Sequence, residues 1–156
     1  MNELSDQLLD TWRINNRIDL YLLNAAGSDG LGAVAASKGR SVGEHFAHLH
    51  NVRLMWLKSA EPGLLEGLSK IEKEQASDLA LLADALERSS QAMERLLEKG
   101  LEQGRIKGFK PHAAGFLGYM LAHEGHHRGQ IMLALKQAGR PVDRKVAYGL
   151  WEWGVR

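Results

Sequence analysis

The sequence predicts an all-α protein: an up-down four-helix bundle with a short C-terminal helical tail, forming one domain over residues 1–156. Three observations carry that expectation. Four long segments repeat their apolar residues with helical period. No segment alternates apolar and polar residues between turn signals, as a half-buried strand does. The breaks between the four segments contain glycine or proline, which stop helices.

The first helix is expected over residues 3–26, with Leu8, Trp12, Ile18, Leu22 and Leu23 among its apolar positions, and it ends in the glycine-rich GSDGLGA. The second opens with Ser41-Val42-Gly43-Glu44. That is a capping-box pattern, in which Ser41 and Glu44 satisfy each other's free amides. It runs to Ser59 and stops before Glu61-Pro62-Gly63. GLLEGLSKIEKEQA then reads as a partly helical connection. The third helix begins near Ser77, repeats Leu79, Leu82, Leu86, Met93, Leu96 and Leu97, and frays at Gly100 and Gly104. The fourth begins at Pro111, a favoured first-turn residue, and stops at Gly139 with Pro141 beyond. The tail VAYGLWEWGVR is expected to add a final helical turn packed on the body.

Composition narrows the function classes. A chain of 156 residues, 44% hydrophobic and 25% charged, has the balance of a globular domain with its own core. A net charge of +1 leaves no electrostatic footprint for nucleic acid or an anionic membrane. There is no cysteine, which excludes disulfides, cysteine-based zinc sites and a thiol nucleophile. With no signal-peptide pattern and no apolar run of membrane-spanning length, the expected location is the cytoplasm.

The chemistry is concentrated in HEGHHRGQ, residues 123–130. On a helical projection, Phe116, Met120, Ile131 and Ala134 define an apolar stripe, and His123 and His127 fall on its centre line, about 40° apart. Two imidazoles in a core stripe are costly unless their nitrogens find partners. One metal ion serves both, because residues four apart converge on a common point. The alternative is a pair of core histidines bonded to each other. His126 lies to one side, toward Tyr119 and Leu133. A third ligand is sought in EHFAHLHN of helix two, where His45 and His48 flank one edge of the apolar stripe and His50 the other. Projection leans slightly to His45 and does not settle the choice. His112, beside Pro111, reads as an exposed first-turn residue.

His123-Glu124-Gly125-His126-His127 also spells H-E-x-x-H, the zinc-protease signature. Its extended form needs Gly and His where this chain has Gln130 and Leu133, and no histidine follows residue 127. No strand is expected that would hold a peptide substrate. A ferritin-like di-iron site needs two Glu-x-x-His motifs, and only Glu124-x-x-His127 is present. Both readings fail on the missing partners.

Ser41-Val42-Gly43-Glu44-His45-Phe46-Ala47-His48-Leu49 together with His123-Glu124-Gly125-His126-His127-Arg128-Gly129-Gln130 resembles the DinB/YfiT-like family of small four-helix-bundle proteins. The tail Leu150-Trp151-Glu152-Trp153 fits one branch of it, and the likeness covers nearly the whole chain. The resemblance implies a metal held by one histidine of helix two and an H-x-x-x-H pair of helix four: His48, His123 and His127. His45 falls where the family usually has an apolar or amide residue, and His126 matches a histidine that does not usually bind the metal. It also implies a homodimer.

Three neutral imidazoles leave a coordination position open, the layout of a catalytic site. All-nitrogen ligation suits zinc or nickel, with iron, cobalt or manganese as alternatives set by supply. Gln130, Asn51, Tyr119 and Glu124 are candidates for orienting the imidazoles. No residue is assigned a catalytic role. Arg128 projects away from the histidine line, toward a salt bridge or a subunit contact. Gly129, costly in mid-helix, suggests a closely packed neighbour. Characterised relatives imply a metal-dependent transferase or isomerase that uses a low-molecular-weight thiol cosubstrate on a small molecule, with thiol transfer the preferred reading. The alternatives are a small-molecule hydrolase working through metal-bound water, with Glu124 or a neighbour taking the proton, and a non-enzymatic metal-binding stress protein.

Overall fold

A computed structural model describes residues 2–156. It contains four long helices, α1 (Glu3–Gly30), α2 (Val42–Ala60), α3 (Leu79–Gln103) and α4 (Ala113–Gln137), followed by the short α5 (Arg144–Gly149). One isolated bridge, Val34 to Ser41, is the extended pairing among the described residues.

The helix ends follow their capping chemistry. Asn2, Ser41, Asp78 and Asp143 each accept a backbone N–H in the first turn of α1, α2, α3 and α5. Both bonds of the Ser41–Glu44 box are present, 3.1 and 3.4 Å long. α3 therefore starts two residues later than Ser77. α4 starts at Ala113 because His112 is its cap, with Nδ1 accepting from Gly115 N at 2.9 Å; Pro111 lies before the helix. α1 outruns the expected end at residue 26: Gly27 takes φ +65°, kinks the chain, and a further turn continues to Gly30. The partly helical connection 61–78 holds two 3-10 turns, Pro62–Leu65 and Lys73–Gln75.

Two apolar clusters fill the bundle. One gathers Leu22, Leu23, Phe46, Leu49, Leu82, Leu86, Ile131 and Leu135. The other gathers Leu9, Trp12, Leu57, Met93, Leu97, Phe116 and Met120. Between them lies a buried polar layer of Asn15, Asn16, Asp19, Arg53, Ser89, Ser90 and Glu124. Each helix crosses this layer, so the order in which it meets the clusters gives its direction. α1 and α4 run one way, and α2 and α3 the other. The up-down alternation holds for α1–α2 and α3–α4, whereas α2 and α3 are parallel. Parallel neighbours need a crossover, and α2 is about 28 Å long at ~1.5 Å per residue. The connection 61–78 has the reach to return that far, which a tight turn lacks.

The tail closes onto α1. Arg156 stacks its guanidinium 3.8 Å from the Tyr21 ring centre, and Arg17 donates to Arg156 O at 3.0 Å. No helix among the described residues is long and apolar enough to cross a membrane.

Candidate metal centre

α2 and α4 face each other just beyond the polar layer, and there the histidines meet. His48 from α2 and His123 and His127 from α4 each place one ring nitrogen within 4.8 Å of the other two. Two nitrogens on a tetrahedral zinc lie ~3.4 Å apart, from Zn–N bonds of ~2.0–2.1 Å. The difference is of the size that side-chain torsions supply. The ring centroids are 4.6 to 5.3 Å apart.

His45 takes a different place from the one projection suggested. Its Nδ1 lies 3.0 Å from Nδ1 of His127, so it fixes the orientation of that ring and leaves Nε2 of His127 free. His123 Nδ1 is buried without a hydrogen-bond partner. An orphaned buried nitrogen costs about 1–3 kcal/mol, which a bound cation removes. The donor set and this orphan both fit a divalent ion. His126 is exposed, and His50 is turned away, with its nitrogens 3.1 and 2.9 Å from Ala85 O and Ser69 O.

The rings are held neutral. Burial, with the Arg40 charge behind it, pushes His48 down to about 4. Burial and then the neighbouring His123 and His48 rings push His127 down to about 3. His45 and His123 are lowered as well, chiefly by burial. Neutral imidazole is the form that binds a metal.

None of the four residues expected to orient the ligands has a hydrogen bond to a histidine ring among the described residues. Glu124 points into the core, where Arg53 donates to Oε2 and Oε1 at 2.9 and 2.7 Å and Asn15 Nδ2 donates at 2.8 Å. Burial would raise its pKa, but the Arg53 guanidinium overrides that and holds the carboxyl below its usual range. It is an ion-pair partner, committed on both oxygens. Asn51 bonds both backbone groups of Ile71 and so pins the 61–78 connection beside His48. Tyr119 packs with Trp56, Phe109 and Phe116 one turn from His123. Gln130 is exposed and lines a recess with His45. Of the two roles expected for Arg128, a salt bridge is present: Nη1 donates to Asp19 at 2.6 Å and to Asn15 at 2.8 Å. Gly129 has no atom near the position of an added Cβ, so no close neighbour explains it.

Sequence reasoning passed over Arg53, Asp19 and Asn15. Their signal was present: Trp12-Asn15-Asp19-Leu22, Leu49-Arg53-Leu57 and Met120-Glu124-His127 keep core spacing with polar residues at core positions.

The fold and site define a helical bundle in which two facing helices bring three histidines to one point. The DinB family model matches residues 1–152, and the chain belongs to the DinB family. No curated protein and no solved structure matches the chain.

Proposed function

We propose that His48, His123 and His127 hold one divalent cation, zinc or nickel, and that the protein is a metal-dependent enzyme transferring a low-molecular-weight thiol to a small electrophile. The observation that carries this is the convergence of three neutral imidazoles from two helices on one point, one of them with an orphaned buried nitrogen. When bound, the ion supplies Lewis acidity, which lowers the pKa of a thiol at the open position. The chain's own contribution is positional. α2 and α4 set the spacing, His45 fixes the His127 ring, and burial keeps the rings unprotonated.

Thiol transfer is preferred over hydrolysis for a specific reason. The hydrolase alternative has a residue beside the site take the proton from metal-bound water. Glu124, the carboxylate nearest in sequence, is occupied by Arg53 and Asn15; Glu44, in the recess beside His48, is turned to its capping bond with Ser41 N; and among the described residues no carboxylate joins the three-histidine group. A thiol, with a pKa of ~8.5 against ~15.7 for bulk water, ionises more readily on the ion and depends less on such a base.

The test is metal content by elemental mass spectrometry on untagged protein and on its His48→Ala, His127→Ala and His45→Ala variants. About one ion per chain is expected, lost without His48 or His127. The His45 variant should still bind, about 10–100-fold more weakly, as for loss of an orienting partner. Metal retained without His48 would overturn the ligand set. Protein that takes up no metal on reconstitution would return these histidines to a structural role.

A further inference from the structure

A recess of about 230 Å³ opens beside His48, and its cationic lining comes from two backbone connections, while the carboxylate Glu44 is supplied by α2. Arg40 and Lys73 supply the cations, while Asn51 and Glu44 complete the polar lining. Glu44 is turned to its capping bond, with Oε1 accepting from Ser41 N at 3.4 Å. Glu72, next to Lys73, pairs with Lys70 at 3.7 Å. Among the described residues, neither Arg40 nor Lys73 has an ion-pair partner.

Both cations sit on fixed backbone. The segment carrying Arg40 is tied by Val42 N to Ala33 O and Gly43 N to Leu31 O, each 2.9 Å, and by Ala36 N to Gln137 Oε1 at 2.7 Å. Lys73 opens a 3-10 turn closed by its own capping box, and Asn51 anchors Ile71 two residues before it. Arg40 also lines a second recess, of about 220 Å³, with Lys38 and His45. Its charge therefore borders the histidine cluster on both sides, and it contributes to the lowering of His45, His48 and His123.

We propose that the recess between Arg40 and Lys73 takes an anionic group, a carboxylate or a phosphate, of the small molecule presented to the three histidines, with Arg40 as the specificity-determining contact. This rests on the metal-site reading above. The size fits the role. A whole drug-sized ligand needs about 300 Å³ or more, so this recess admits the charged end and leaves the reacting end to reach His48. The planar guanidinium offers the paired donors that carboxylate and phosphate accept.

Two measurements test it. In the first, metal-free ¹⁵N-labelled protein is titrated with succinate and with inorganic phosphate, following Arg40 Nε in the unaltered protein and the Lys73 amide in it and in every variant. Saturable shifts of the Lys73 amide that are lost in Arg40→Gln and weakened in Arg40→Lys, which keeps the charge but not the paired donors, are expected, and the stronger response identifies the group. No saturable shift with either anion overturns the proposal. In the second, cobalt-loaded protein is titrated with 3-mercaptopropionate and with 2-mercaptoethanol by absorption. The anionic thiol should bind about fivefold tighter, the size of one partly exposed ion pair, and Arg40→Gln should abolish that advantage. Cobalt binding without any such advantage overturns the anchor and leaves the metal site standing. Failure to take up cobalt overturns the metal site, and the first measurement then decides the recess alone.

Discussion

At the scale of single residues, the depressed histidines make a sign-definite prediction. Near pH 6, three ordinary imidazoles would carry roughly two protons between them, all of which a metal must displace. With His48 at about 4, His127 at about 3 and His123 lowered, metal binding should release less than one proton per ion. Calorimetry in buffers of different ionisation enthalpy measures this directly; release of two would refute the neutral site. The same shifts act on the metal-free protein. The unfolded chain binds protons on these rings below ~6.5, whereas the folded chain resists them. Stability should therefore fall as pH drops from about 6.5 to about 4, seen as a decreasing urea midpoint.

At the scale of elements, two glycines separate a backbone contact from an open surface. Gly43, in the first turn of α2, faces the Ala76 carbonyl, and an added Cβ would strike that oxygen. Gly43→Ala should cost about 1–3 kcal/mol, since backbone must move, and should loosen the connection that carries Lys73. Gly129 on α4 meets nothing, and it lines an open apolar recess with Met132 and Trp151. Gly129→Ala should raise stability by up to about 1 kcal/mol, the helix-propensity difference. Denaturant melts of both variants check the opposite signs. Both glycines lie in the two motifs that carry the family resemblance, and pattern alone could not tell them apart. Helix identity and capping were readable because they depend on neighbours in the chain. What approaches Gly43 from Ala76, thirty-three residues away, was not.

At the scale of the molecule, Arg53 joins all four long helices. Its side chain is fully buried, and it donates to Glu124 of α4, Asn16 and Asp19 of α1, and Leu86 O and Ser89 of α3. The Trp12 ring lies 5.0 Å from the guanidinium. Removing one partner of a buried pair strands the other charge, at about 3–5 kcal/mol. Arg53→Ala should therefore be among the most destabilising single changes, lowering the urea midpoint far more than Arg13→Ala, which breaks the exposed pair with Glu94. A similar loss from both would refute the hub.

Local rules account for the four helices, the Ser41–Glu44 cap and the His123–His127 pair, because helical period and hydrogen-bond capping act within a few residues. They also moved Arg128 off the histidine line, leaving a salt bridge or a subunit contact, and the packed chain supplies the salt bridge to Asp19. Other features needed the packed chain. His45 and His48 lie about 60° apart around α2, and which of them closes the cluster was set by how α2 packs against α4. Glu124 points inward because Arg53, seventy-one residues away, offers it a buried countercharge. The parallel run of α2 and α3 follows from a crossover whose path depends on where its apolar residues find cover. In each case the deciding interaction is a long-range contact, with an energy that exists only once distant segments exclude water together.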